Sequence, residues 1–119
     1  MSFDVSLTCP VTKRTLQTEV PHQMKGGTYC VGGTTDMELN ITYNYSKFYY
    51  ETIDAEEGLR KLNGMTAAES IPLLKAAIEK LGDDTNPDYW ASTEGNAKIP
   101  LTQLLAFAQM RPDGVWEIF

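Results

Sequence analysis

The chain has 119 residues, with ten basic and sixteen acidic side chains and a net charge of −6. This length suits one domain with a single core that needs neither disulfides nor a metal. Residues 1–60 carry five basic and eight acidic side chains, and residues 61–119 carry the same numbers. No stretch is strongly basic, so direct binding to nucleic acid is not expected.

The N-terminal residues lack the basic start and the apolar core of a signal peptide, and no apolar run reaches the ~18 residues of a membrane span. We therefore expect a cytoplasmic protein that does not contact a membrane. In that compartment the two cysteines stay reduced.

Two runs of alternating apolar and polar residues, 3–9 and 16–20, open the chain and are separated by the turn residues 10–13. This pattern predicts a β-hairpin, with Pro21 ending its second strand. The alternation returns over residues 37–45 and predicts a central strand, with Asn40, Thr42 and Asn44 on its polar face. We expect three or four mostly antiparallel strands within residues 1–45.

Helical patterns follow. Cap residues Ser46, Asp54 and Thr66 predict helices over 46–53, 54–63 and 66–81, and a fourth helix is predicted from about residue 95 to 110. The sequence therefore predicts one α+β domain over residues 1–119. An antiparallel sheet of three to four strands, roughly residues 1–45, is packed on one face by three to four helices, roughly residues 46–111. The apolar run 115–119 belongs either to the core or to an interface.

The first candidate site is a small-ligand site beside the predicted central strand. Two glycine pairs, at 26–27 and 32–33, allow positive φ and close approach of the backbone to a ligand. Plain turn chemistry is the favoured explanation, since neither the P-loop spacing nor the dinucleotide-binding spacing of glycines is present. A nucleotide-like ligand would contact the following residues: Gly26, Gly27, Thr28, Tyr29, Asn40, Thr42 and Asn44.

The second candidate site is the acidic loop 82–95, which could dock a partner with a basic surface. It partly matches a calcium-binding loop, but Tyr89 stands where that loop needs glycine and Glu94 lies one position early. No metal or other cofactor is therefore expected. The residues proposed to contact the partner are Asp83, Asp84, Asp88, Trp90 and Glu94.

A thiol enzyme is the third alternative, because Cys30, His22 and Asp36 are the residue types of a nucleophile, a base and its orienting group. Cys30 is equally suited to fill space on a strand. We assign no catalytic residue, and we expect a binding protein rather than an enzyme.

Most of the chain resembles a family of small uncharacterised proteins carried by bacteriophages, prophages and mobile elements. The stretches that carry the resemblance are PHQMKGGTYCVGGTT, LNITYNYSK, GLRKLNGMTAAESIPLLKAAIEKLGDD, YWASTEGNAK and LLAFAQMRPDGVW. The family has no assigned activity from which site residues could be transferred. The resemblance implies an accessory protein in the cytoplasm of a host bacterium, which binds and inhibits a host nuclease or another defence component. It leaves a homodimer open.

Overall fold

The computed structural model describes residues 1–22 and 33–119. Gly26, Gly27, Thr28, Tyr29 and Cys30 lie outside the described residues. In chain order the elements are strands β1 Ser2–Thr8, β2 Gln17–His22, β3 Thr34–Asp36 and β4 Glu38–Thr42, a 3₁₀ helix Tyr43–Tyr45, helix α1 Ser46–Thr52, a second 3₁₀ helix Gly58–Leu62, helices α2 Ala67–Lys80 and α3 Glu94–Met110, and strand β5 Val115–Ile118.

The predicted α+β class is confirmed. Strands β4, β1 and β5 form an antiparallel sheet in that order, and β2 and β3 form a small second sheet. Side chains of β1 alternate between the core and the surface, so that Phe3, Val5 and Leu7 are buried while Asp4 is exposed. These residues and the buried faces of the helices belong to one hydrophobic core.

The predicted N-terminal hairpin is wrong beyond its turn. The turn itself is closed by Cys9 N–H donating to Arg14 O at 2.8 Å, and Leu16 N–H still donates to Leu7 O at 2.8 Å. The chain then diverges and β2 pairs with β3, because both edges of β1 are occupied by β4 and β5. Pro21 does not end the strand: β2 continues to His22, and the exposed Pro21 lies within it.

The apolar run at the C-terminus is a core strand. Val115–Ile118 pairs with β1, and Trp116 is fully buried with its indole Nε1–H donating to Ser70 Oγ at 2.8 Å. On its other side Trp116 N–H donates to Met65 O at 3.0 Å, so the segment before α2 covers that edge.

The predicted strand 37–45 stops early. Strand β4 ends at Thr42, whose hydroxyl accepts a bond from Asn44 N–H at 3.2 Å and caps the first 3₁₀ helix. The Tyr43 ring packs edge-on against Phe3 at 4.6 Å between centroids, and Tyr45 is buried. These aromatic contacts outweigh the alternating pattern, and they place Asn44 off the strand. Ser46 is the first residue of α1 and not its cap.

The helix predicted over residues 54–63 is a shorter 3₁₀ helix. The Asp54 carboxylate accepts bonds from Glu56 N–H at 3.0 Å and Glu57 N–H at 2.7 Å, as predicted for a cap. Gly58 has φ of +59°, which interrupts an α-helix at that point. A Cβ atom at this position would lie 3.3 Å from the Tyr50 ring.

The two long helices are confirmed. Helix α2 begins with a capping box in which Glu69 N–H donates to Thr66 Oγ1 and Thr66 N–H donates to Glu69 Oε1, each at 3.2 Å. Helix α3 is capped by Thr93. None of the helices in the described ranges combines the length and the apolar character that a membrane crossing requires.

Candidate functional site

The acidic loop ends at residue 93 in the structure, because α3 begins at Glu94. It folds back onto the start of α3, and the buried side chain of Asn96 holds it there. Asn96 Oδ1 accepts a bond from Asn86 N–H at 2.9 Å. Its Nδ2 donates to Asp88 O at 3.0 Å and to Ala91 O at 3.2 Å. Because Asn96 is only 4% exposed, these bonds are shielded from water and fix the path of the loop.

Gly95 allows the closest approach between the loop and α3. A Cβ atom at this position would lie 2.7 Å from the carbonyl carbon of Asp84 and from the amide nitrogen of Thr85. The same approach lets Gly95 N–H donate to Asp84 Oδ1 at 3.2 Å. Asp84 therefore carries a negative charge at the surface and also accepts a hydrogen bond that positions the loop.

Trp90 is the exposed aromatic residue of this loop, with 53% of its surface accessible. Its N–H donates to Asp88 Oδ1 at 3.0 Å, and its carbonyl accepts a bond from Asn44 Nδ2 at 2.9 Å. The indole ring packs edge-on against Tyr89 at 5.0 Å between centroids. The backbone of Trp90 is thus held on both sides while the ring faces solvent.

Four acidic side chains belong to the same stretch of chain as Trp90. Asp83, Asp84 and Asp88 are exposed, and Glu94 is half-buried. Asp83 Oδ1 lies 2.6 Å from Lys98 Nζ, but Asp83 is 90% exposed, so this ion pair contributes little to stability.

The structure brings together residues that the sequence assigned to two separate sites. Asn44, a predicted ligand contact, bonds directly to Trp90, a predicted partner contact. Close to this bond, Thr42 N–H donates to the Tyr89 hydroxyl at 3.0 Å. The junction of β4 and the first 3₁₀ helix therefore forms one side of the support for the acidic loop.

The polar side chains of the predicted ligand site have intramolecular partners. Asn40 Nδ2 donates to Ser2 Oγ at 2.7 Å and to Asp4 Oδ1 at 2.8 Å. The Thr42 hydroxyl caps the 3₁₀ helix, and Thr42 is 1% exposed. These groups stabilise the fold, and the small-ligand site that includes Gly26, Gly27, Thr28 and Tyr29 stays a prediction.

Two tyrosine hydroxyls that bond to the loop and to α3 act as neutral hydrogen-bond donors. The Tyr45 hydroxyl donates to Tyr89 O, and burial, together with Tyr89 and the charge of Asp88, raises the pKa of Tyr45 to about 12. The Tyr49 hydroxyl donates to Ala97 O at 2.8 Å, and complete burial raises the pKa of Tyr49 well above its usual value. Both stay protonated near neutral pH and anchor the loop and α3.

Two adjoining clefts lie where the loop meets α3, and neither was predicted from the sequence. The first has a volume of about 400 Å³, within the range of ligand pockets, and the second, of about 280 Å³, shares Ile99 and Gln103 with it. The one sequence signal for them is the amide of Gln103 on α3, which follows the amide of Asn96 by seven residues. The residues lining the first cleft are Tyr45, Asn86, Pro87, Tyr89, Asn96, Ile99, Pro100 and Gln103.

The described residues offer little catalytic chemistry. Within 1–22 and 33–119 no group of three His, Cys, Asp or Glu side chains could hold a metal ion. His22 Nε2 lies 2.7 Å from the backbone oxygen of Asp36, while the Asp36 carboxylate accepts a bond from Gln17 at 3.2 Å. The carboxylate of Asp36 therefore has a different partner from the one that the thiol-enzyme hypothesis requires. That hypothesis also needs Cys30, which is outside the described residues.

Comparisons of the chain with protein-family models, with curated proteins and with solved structures find no match. The resemblance to small phage proteins therefore stays a prediction, and functional conclusions depend on the geometry described above.

Proposed function

We propose that this chain is a non-enzymatic binding protein that docks a protein partner with a basic surface through the acidic loop. The observation that carries the proposal is the exposed indole of Trp90, held on a fixed backbone in the same loop as the exposed carboxylates of Asp83, Asp84 and Asp88. If the covered surface of the partner is one that binds nucleic acid, docking inhibits it. This matches the inhibitor of a host defence component that the phage resemblance implies.

Two physical arguments support the proposal. Tryptophan is enriched among residues that dominate binding energy, and a group that is ordered before binding loses less entropy on association. Carboxylates around such a group attract a basic partner and raise the rate of encounter, an effect that falls with salt. The hydrogen bonds of Asp88 and Asn44 to Trp90 supply the required order.

The test removes the charge of the loop without removing its hydrogen bonds. Asp83→Asn, Asp84→Asn and Asp88→Asn, combined, keep a carbonyl oxygen at each position and lower the negative charge by three. The matched control changes three exposed carboxylates on another surface by the same amount: Glu51→Gln, Glu56→Gln and Glu57→Gln.

We expect the immobilised wild-type protein to retain a defined protein from a bacterial lysate at low salt and to lose it as salt is raised. The triple Asn variant should retain it at least about tenfold less strongly at low salt, and the triple Gln control should match the wild type. Trp90→Ala should weaken retention at every salt concentration. Equal retention by the two triple variants would refute the proposed role of the acidic loop.

A further inference from the structure

The side chain of Gln103 contains a buried acceptor without a partner. Its Oε1 is shielded from solvent and makes no hydrogen bond within the described residues. Buried amide oxygens are nearly always bonded, because an unpaired one loses its bond to water and gains nothing in return. Gln103 lines both clefts, so rotation of its side-chain amide about the terminal bond would present this oxygen to a donor that enters either of them.

The other polar groups of the larger cleft are already used. Asn96 makes three hydrogen bonds to the loop, and Asn86 Oδ1 accepts a bond from Asp88 N–H at 2.9 Å. The Tyr45 hydroxyl donates to Tyr89 O. An occupant that pairs with Gln103 must therefore bring its own donor.

The electrostatic environment favours a cation in the cleft. No residue that lines it is charged, but Asp88 lies between the lining residues Pro87 and Tyr89, and its charge contributes to the raised pKa of Tyr45. Lys98, which lines the smaller cleft, is paired with Asp83. The field at the cleft is therefore set mainly by carboxylates.

The walls of the cleft distinguish between cations. They are largely aromatic and apolar, formed by Tyr45, Tyr89, Pro87, Pro100 and Ile99. A guanidinium is flat, weakly hydrated and rich in donors, and it packs well on aromatic rings, whereas an ammonium is compact and strongly hydrated. A largely apolar cleft beside one unpaired acceptor suits the guanidinium.

From the unpaired amide oxygen, the nearby carboxylates and the aromatic walls, we infer that the cleft receives an arginine side chain of the basic partner. Its guanidinium donates to the side-chain oxygen Oε1 of Gln103. This inference rests on the proposed function and adds the residue of the partner that is recognised. It also explains why an unpaired amide oxygen persists on α3, since in the complex it is paired.

The test uses the isolated protein with Nα-acetyl-arginine amide as the probe, followed by amide chemical shifts in two-dimensional NMR. Nα-acetyl-lysine amide has the same charge without the planar group, and Nα-acetyl-citrulline amide has nearly the same shape without the charge. We expect the arginine probe to shift the amides around Tyr89, Ile99 and Gln103, with binding at least about fivefold tighter than that of either analogue.

Two substitutions separate binding from structure. Gln103→Leu should abolish the arginine-specific shifts and raise Tm by about 3 °C, because it removes the unpaired acceptor. Gln103→Glu should bind arginine more tightly than the wild type, a gain that a purely structural glutamine would not show. Gln109→Leu, an exposed position on the same helix, is the matched control and should leave arginine binding unchanged.

Equal binding of arginine and lysine, tight binding of citrulline, or arginine shifts that persist in Gln103→Leu would each overturn the inference. These results are distinct from failure of the proposed function. Retention from lysate that depends on the loop carboxylates, without arginine-specific shifts, refutes the cleft alone. Arginine-specific shifts without any dependence of retention on the carboxylates refute the docking loop.

Discussion

Gly95→Ala is a substitution for which helix propensity and tertiary structure predict opposite signs. Gly95 is the second residue of α3, and alanine is favoured over glycine in helices by at most about 1 kcal/mol. In the folded protein, however, the new methyl group would lie 2.7 Å from two backbone atoms of Asp84 and Thr85 and 2.9 Å from a third in Asp83. These backbone atoms directly precede Asn86, whose N–H is bonded to Asn96, and they cannot turn aside as a flexible side chain would.

The magnitude follows from the displacement that relieves this contact. Separating the atoms to a normal distance requires a movement of roughly 0.7 Å, and over-packing of this kind costs about 1–3 kcal/mol. Loss of the bond from Gly95 N–H to Asp84 Oδ1 adds about 1 kcal/mol. After the gain in helix propensity is subtracted, the net destabilisation is about 1–3 kcal/mol, or a fall in Tm of roughly 4–12 °C.

Gly82→Ala is the matched control at the other end of the same loop. A Cβ there would make ordinary contacts, the nearest being 3.5 Å from Glu94 Oε2, so its stability should change little or increase slightly. Urea unfolding at equilibrium measures both variants. If Gly95→Ala is as stable as Gly82→Ala or more so, the tight packing of the loop on α3 is refuted.

Two further predictions concern the core and the start of α2. Trp116→Phe leaves the Ser70 hydroxyl without its buried donor and opens a small cavity. It should therefore lower the free energy of unfolding by about 2–4 kcal/mol, measured by urea titration. The control Trp90→Phe, at the surface, should change the free energy of unfolding by less than about 0.5 kcal/mol in the same titration. Bonds from the Thr66 hydroxyl and N–H hold the pKa of Glu69 below its ordinary value of 4.5; the stabilisation is complete above that value and is lost as pH falls through the lowered pKa. The difference in stability between the wild type and Glu69→Gln should therefore shrink below about pH 4.5, and a difference that stays constant from pH 7 to pH 3 would contradict this account.

Local sequence signals predicted the elements whose stability is decided locally. The capping box at Thr66 and Glu69 and the helical period after it gave the start of α2 within one residue. Helix α3 was predicted equally well, because Leu101, Leu104, Leu105 and Ala108 recur at helical spacing. In both cases the relevant contacts lie within one turn of the chain, so the pattern contains them.

Pairings between distant residues were not predictable from these signals. Strand β5 is only four residues long, and Thr8, which bonds to Val115 O, is 107 positions away from it in sequence. Without knowledge of β1 as its partner, such a run fits a core strand and an interface segment equally. The false hairpin has the same origin, since alternation identifies a strand but not the strand with which it pairs.

The candidate site shows a further limit of counting charges along the chain. In the sequence Asp83, Asp84 and Asp88 are three equivalent carboxylates. In the structure, Asp84 accepts a bond from Gly95, Asp88 accepts one from Trp90, and Asp83 pairs with an exposed lysine. Reversing their charges with lysine would therefore disturb the loop and its potential together, and a loss of binding would not distinguish the two causes. Asparagine keeps the acceptor oxygen and removes the charge, so only this substitution shows whether the carboxylates attract a partner or merely hold Trp90 in place.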